Sequence, residues 1–125
     1  MYIRMPQVLI IDDEKLIRWS LKHILGEEGF EVDSAATREE AIALLRSNPY
    51  SLIIADMEAC GEPEDAFFAD ILSGHHGAKL IVLTALSRDY VERTLGDGLA
   101  YLIMEKPFDA REIKAAAKKA LGLAS

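Results

Sequence analysis

A single cysteine, Cys60, leaves the chain unable to form an internal disulfide, which fits a reducing, cytoplasmic setting. Positive charge is also in short supply. Lysine and arginine number 14 against 21 aspartates and glutamates, a formal net charge of −7. That balance argues against nucleic-acid binding by this segment, because phosphate backbones are gripped by clustered cations. Long apolar runs are missing too. The longest, such as "LIVLTAL", fall far short of a bilayer span, and the opening "MYIRMPQ" has no apolar core of signal-peptide length. There is no internal repeat, low-complexity tract or linker. Hydrophobic residues, by contrast, make up half of the 125 positions. That is enough for one domain, residues 1–125, with a proper core, and too much for disorder.

Five short apolar runs alternate with helical patterns. Strands are expected over 7–12, 30–34, 51–56, 79–84 and 100–104. The first, third and fourth are apolar on both faces, as buried parallel strands are. The second alternates, with Phe30 and Val32 on one face. Helices are expected over 15–25, 38–47, 65–73, 87–95 and 110–121. In the first, Ile17, Leu21 and Ile24 share a face and Gly26 serves as the stop. Thr37 with Glu40, and Asp109 with Glu112, read as capping pairs, and Asn48-Pro49 ends the second helix. Phe67, Phe68, Ile71 and Leu72 line one side of the third. Ile113, Ala117 and Leu121 form the buried face of the last, with Lys118 and Lys119 near its negative end. Gly96 and Gly98 make the fourth helix the weakest. Strict alternation of strand and helix implies a parallel sheet covered on both faces, and such sheets bind ligands at the carboxyl ends of their strands.

The residues at those ends are Asp12 and Asp13, Asp56, Thr84, and Lys106 just before Pro107. Two unit charges about 4 Å apart repel by about 4 kcal/mol at an effective dielectric of ~20. Three carboxylates on one rim must protonate, spread apart or recruit a cation. Lys106 supplies one positive charge and leaves the group near −2. A hard dication such as Mg²⁺ cancels that remainder. A carboxylate held beside Mg²⁺ and an ammonium can attack phosphorus and become an acyl phosphate, and Asp56, ending the buried "SLIIAD" run, is placed to do so. Plainer readings stand beside this one. Asp12 and Asp13 could cap the first helix, Lys106 could be a solvated residue before a turn proline, and Thr84 could be an ordinary strand end. His75 and His76 sit in a polar stretch whose spacing with Cys60 matches no zinc motif. His23 is expected on the exposed side of the first helix. Trp19, roughly opposite Ile17, is either packed along its stem or an exposed aromatic for a partner.

The set "IIDDE", "IIAD", "VLTA" and "EKPF", in this order and spacing, resembles the receiver domain of two-component response regulators over roughly residues 6 to 122. The stretch "DDEKLIRWSL" is similar to receivers that precede sigma-54-dependent activators. The resemblance implies a flavodoxin-like, CheY-like doubly wound five-stranded parallel sheet, (βα)5, in a cytoplasmic signalling switch rather than a turnover enzyme. It implies that Asp56 accepts a phosphoryl group from a sensor histidine kinase or a histidine phosphotransfer protein. Asp13 would bind Mg²⁺ directly, Asp12 partly through water, and Glu58 through its backbone carbonyl. Thr84 would move towards the phosphoryl oxygens, Lys106 would bind one of them, and the Lys106-Pro107 peptide would be cis. Slow self-catalysed phosphoryl transfer and hydrolysis would accompany the switch, with Leu86 and Glu58 shaping water access.

Three departures from that pattern stand out. Cys60 replaces the proline expected four residues after Asp56, and Glu64 stands where glycine is typical. Ile103 occupies the place of the aromatic switch residue, with Tyr101 two residues earlier on the same strand face, so coupling through Thr84 is expected to be altered. Gly96 and Gly98 loosen the fourth helix, part of the usual output face. The alternatives are a degenerate receiver that only binds a protein partner, a small Asp-nucleophile phosphohydrolase, and a flavodoxin-like cofactor binder. The phosphohydrolase reading lacks the second acid of a D-x-D pair, since Met57 and Glu58 follow Asp56. The cofactor reading is opposed by Asp12, Asp13 and Glu14, which repel phosphate. No output domain follows Ser125, so the chain is expected to be a stand-alone receiver or a piece of a larger regulator, possible homodimer included.

Overall fold

A computed structural model of the chain describes residues 6–59, 67–69, 71, 77–96 and 98–123. The elements are β1 (Gln7–Ile11), α1 (Lys15–Glu27), β2 (Glu31–Ala35), α2 (Arg38–Ser47) and β3 (Leu52–Asp56). A 3-10 turn (Met57–Ala59), β4 (Lys79–Thr84), α3 (Arg88–Leu95), β5 (Leu102–Glu105) and α4 (Ala110–Ala120) follow. Residues 67–69 and 71 are helical as well, with Phe67, Phe68 and Ile71 buried as their spacing predicts. Leu72 lies outside the described residues.

The five strands form one parallel sheet in the order β2-β1-β3-β4-β5. Alternation along each strand divides the core in two. Val8, Ile10, Leu52, Ile54, Ile81 and Leu83 face one way, onto Leu21 and Leu25 of α1 and Ile113 and Ala117 of α4. Leu9, Ile11, Ile53, Ala55 and Val82 face the other, onto Ala41 of α2, Phe67, Phe68, and Val91 and Leu95 of α3. A sheet apolar on both faces needs helices on both, and the doubly wound arrangement supplies them. No described helix is long and apolar enough to cross a membrane.

Several boundaries differ from the sequence expectation, each for a local reason. β1 stops at Ile11 and frees Asp12, while β2 and β5 are displaced towards the site end, to Glu31–Ala35 and Leu102–Glu105. β3 begins at Leu52 rather than Ser51. α1 runs through Gly26, and the chain turns instead at Gly29, whose φ of 90° belongs to the left-handed region that glycine tolerates. α3 starts at Arg88 because Ser87 caps it, its hydroxyl accepting from the Tyr90 N–H. α4 ends one residue earlier, with Leu121 as its C-cap. The Asp109–Glu112 capping box forms in full. The Thr37–Glu40 pair forms by half. Thr37 accepts from the Glu40 N–H, but the Glu40 carboxylate accepts from Ala36 at 2.8 Å. Lys118 is more than a solvated cap, since its ammonium lies 3.1 Å from Glu28 and ties α4 to the end of α1.

Candidate functional site

Register assembles the rim before any side chain is considered. Ile11 pairs with Ala55, so the next residues, Asp12 and Asp56, are neighbours across β1 and β3. Asp56 pairs with Leu83, which puts Thr84 one step beyond, and Thr84 pairs with Glu105, which brings Lys106 up next. The Lys106 N–H donates to the Thr84 carbonyl at 2.7 Å, and the Lys106-Pro107 peptide is cis, as expected. The order β2-β1-β3 makes the Asp12–Asp56 boundary the place where the winding direction reverses, where open α/β sheets leave a crevice.

Asp12 is fully buried and Asp56 is 4% exposed, while Asp13 faces solvent. One carboxylate oxygen from each lies within 4.8 Å of the others. Asp12 is held from every side. Its Oδ1 accepts from the Glu14 N–H at 2.9 Å, its Oδ2 accepts from Lys106 Nζ at 3.2 Å, and its carbonyl accepts from the Arg18 guanidinium at 2.8 Å. The aspartates do not cap α1. The N-cap is Glu14, without a side-chain cap bond.

Lys106 Nζ lies 3.5 Å from Asp56 Oδ1 and 3.9 Å from Glu14 as well. Burial alone would push its ammonium pKa down, but Asp56, Asp12 and Glu14 together outweigh burial and raise it. Lys106 therefore carries its charge throughout the physiological range. Asp56 is pushed up to about 6, first by burial and then by the Asp12 carboxylate, with Glu58 and Asp13 adding and Lys106 opposing. A single ammonium thus does not neutralise the cluster. Three carboxylate donors with a residual charge near −2 match a hard divalent cation. Asp12, Asp13 and Asp56 would hold such an ion through one oxygen each, and it would supply the positive charge the cluster lacks.

Two further groups complete the rim. The buried Thr84 hydroxyl oxygen accepts from the Leu86 N–H at 2.9 Å, an acceptor role that does not consume its O–H. The Glu58 carboxylate accepts from the Ala85 N–H at 2.8 Å, linking the turn after β3 to the end of β4. Sequence reasoning missed the roles of Glu14, Arg18, Arg88 and Glu105. Arg88 donates through its backbone N–H to Glu105 at 2.7 Å and through its guanidinium to the Ile103 carbonyl at 3.0 Å. Bonds from an arginine to a main-chain carbonyl follow no motif, so only the closeness of Glu14 to the aspartate pair was a readable signal.

The expected placement of Tyr101 within the last strand is corrected. Tyr101 precedes β5 instead of lying in it, at the end of the strand away from the rim. Its N–H donates to Leu80 and its ring is covered by the Lys79 ammonium at 5.3 Å. Ile103 is buried in the core. His23 is exposed, as expected, and stacks on an exposed Trp19. Cys60, Glu64, His75 and His76 lie outside the described residues.

Comparison with known proteins converges on one family. The profile of the response regulator receiver domain matches residues 8–118. The transcriptional regulatory protein PdtaR of Mycobacterium tuberculosis is 37% identical over 110 residues, covering 86% of this chain and 52% of PdtaR. The transcriptional regulatory protein SrrA of Staphylococcus aureus is 34% identical over 109 residues, covering 86% of this chain and 44% of SrrA. The chain spans about half the length of the curated relatives it matches. Among solved structures, the response regulator TrrA of Thermotoga maritima, in complex with Mg²⁺ and BeF, is 36% identical with a TM-score of 0.79, covering 94% of this chain and 100% of TrrA. A CheY-like receiver domain protein of Methanospirillum hungatei is 25% identical with a TM-score of 0.87, covering 95% of both chains.

Proposed function

This chain belongs to the response regulator receiver domain family, and on that premise we propose that Asp56 is its phosphoacceptor, served by Mg²⁺ on Asp12, Asp13 and Asp56. The observation that carries the proposal is the meeting of three carboxylates and the Lys106 ammonium at the ends of three strands, with Nζ 3.5 Å from Asp56. The donor would be a phosphohistidine on a sensor histidine kinase or a histidine phosphotransfer protein. An Asp56 oxygen attacks phosphorus, the P–N bond breaks, and the imidazole leaves with the electron pair and takes up a proton. Asp56 must be ionised to attack. At neutral pH it is, and Lys106 favours that form. As the phosphoryl group arrives, Lys106 donates to one of its oxygens and the Thr84 O–H to another. Glu14 and Arg18 keep Asp12 in place through the contacts described above. The main-chain carbonyl of Glu58 would complete the metal ligands. Mg²⁺, when bound, supplies neutralisation of the charge on the phosphoryl oxygens. The likeness to TrrA, solved with Mg²⁺ and BeF, supports this choice of metal.

The acyl phosphate carries about −1.5 to −2 charges at neutral pH where the ionised Asp56 carried −1, and its added oxygens are new acceptors for Lys106 and Thr84, which biases two conformations of the β4 and β5 ends. With Ile103 buried, we read the Arg88 guanidinium on the Ile103 carbonyl and the Arg88 N–H on Glu105 as the link between β5 and α3. Self-catalysed phosphoryl transfer and hydrolysis would be slow and would serve the signal. We read residues 1–125 as a single cytoplasmic receiver. Its output, transcriptional by analogy with the relatives' names, would pass to a further domain or a downstream protein.

The test is incubation with acetyl phosphate, with and without Mg²⁺, followed by intact mass and peptide mapping. Here the Asp56 oxygen attacks phosphorus and acetate leaves. Uptake of one phosphoryl group on Asp56 that needs Mg²⁺ is the expected result. Uptake elsewhere, or without metal, overturns the proposal, and no uptake leaves a receiver that only binds a partner. Glu58→Gln should speed this loading roughly fivefold, because one screened charge of about 1 kcal/mol no longer repels the incoming anion. The loading rate against acetyl phosphate concentration checks it, and an unchanged or slower rate contradicts the repulsion.

A further inference from the structure

We propose that α1 carries a homodimer face, in which two copies pair their first helices antiparallel across a twofold axis. The inference stands apart from the phosphoacceptor reading, because it rests on the side of α1 turned away from the sheet.

The buried face of α1 uses Leu21 and Leu25, with Ile17 and Ile24 packed beside them. The opposite side is a second stripe that nothing in the described chain covers. Leu16 is 72% exposed and Trp19 is 63% exposed. His23 and Gly26 continue the stripe towards the end of the helix, both exposed. Trp19, Lys22, His23, Gly26 and Glu27 line a shallow surface depression there. Gly26 is the telling residue. It sits inside a 13-residue helix, where glycine is a poor helix former. A Cβ added to it would meet nothing within 4 Å, so no neighbour in the described chain requires its absence. A bare patch of helix backbone is what a second helix needs for close approach.

The spacing identifies the second helix as a copy of the first. Leu16, Trp19, His23 and Gly26 are separated by three, four and three residues, a series that reads the same from either end. Antiparallel pairing therefore sets Leu16 over the partner copy's bare Gly26 position, and Trp19 against the His23 position. The same alignment brings Lys15 opposite the Glu27 position, a favourable charge pair made twice by the symmetry. Of the acids near the two ends, Glu28 lies beside Lys118 and Glu14 beside Lys106, while Glu27 lies 3.1 Å from the exposed His23 of its own helix, a surface contact that pairing with the partner copy's Lys15 would exchange. A helix of this length is about 20 Å long, so the contact falls at the small end of protein interfaces and the association is weak.

Sedimentation velocity of the chain from about 10 μM to about 1 mM tests the proposal. Wild type should shift from monomer towards dimer across that range. Trp19→Glu and Gly26→Gln should both remain monomeric. Gly26→Gln should also melt at a higher temperature than wild type, so its failure to associate cannot come from misfolding. Lys15→Glu should weaken the dimer, and adding Glu27→Lys in the same chain should restore it. A wild type that stays monomeric overturns the proposal and leaves the stripe to a helix of another protein. A dimer that survives Trp19→Glu and Gly26→Gln places the interface elsewhere. Loss in Lys15→Glu without recovery in the double variant rejects the antiparallel alignment.

Discussion

Asp56→Asn is expected to take up no phosphoryl group from acetyl phosphate and yet to resist urea better than wild type in metal-free buffer at pH 7. The first half follows from the proposed role of Asp56 as the attacking carboxylate. The second follows from the rise of the Asp56 carboxyl from its ordinary 3.8 to about 6, caused by burial and by the Asp12 charge. The folded chain holds this proton more tightly than the unfolded chain does. Between roughly pH 4 and pH 6 the folded state therefore binds more protons, and stability falls as pH rises through that window. Above pH 6 the whole cost is present. At about 1.4 kcal/mol per unit it amounts to as much as about 3 kcal/mol. An uncharged amide of the same shape removes it, less whatever Lys106 loses by giving up one partner. The gain should shrink towards zero near pH 4, where wild type is itself protonated. Urea midpoints of both proteins at pH 4.5 and pH 7, without metal, decide the matter. Equal stability at pH 7, or a larger gap at the lower pH, would show that the carboxylate is not strained. Mg²⁺ should raise the wild-type midpoint at pH 7 and raise that of Asp56→Asn far less, because the variant keeps two of three carboxylates.

Lys106→Met should act in the opposite direction. The methionine keeps most of the stem and removes the ammonium that lies 3.2 Å from a fully buried Asp12 and 3.5 Å from Asp56. Breaking a buried pair from one side leaves an uncompensated charge, typically at a cost of about 3 kcal/mol or more. Because Lys106 is raised rather than lowered, its stabilisation is present throughout the range below the ordinary lysine value and disappears only in strong alkali. The loss should therefore be nearly constant between pH 7 and pH 9. It should ease towards pH 4.5 as Asp56 protonates, and Mg²⁺ should restore part of it by supplying the missing positive charge. Thermal melts with and without the ion measure this. A variant as stable as wild type without metal would mean that water already screens the cluster.

How much of this was readable without coordinates depends on the kind of signal. Apolar periodicity is a bulk property of a segment, so the five strands, the helices and both core faces were legible from runs such as "VLII" and "LIIAD". The rim followed from the rule that parallel sheets work at their carboxyl ends, which brought Asp12, Asp56, Thr84 and Lys106 together correctly. What failed was local. Gly26 looked like a helix stop, but a glycine in a helix is only mildly unfavourable, and packing of Leu21 and Leu25 carried the helix on to Glu27. Tyr101 looked like a strand residue on the Ile103 face, but β5 begins at Leu102 and the ring lies instead beneath Lys79. Arg18 and Arg88 were invisible because their targets are backbone carbonyls, which every residue carries.

The Ile11–Ala55 pairing has a practical use. A slip of one residue between β1 and β3 would move Asp12 away from Asp56 and turn every side chain of the slipped strand to the other layer. With the metal site proposed above, affinity for a divalent ion would therefore report correct strand alignment and be absent from misthreaded or half-assembled chains. Titrating a refolded sample with the ion would count its native molecules directly, much as an active-site titration counts competent enzyme.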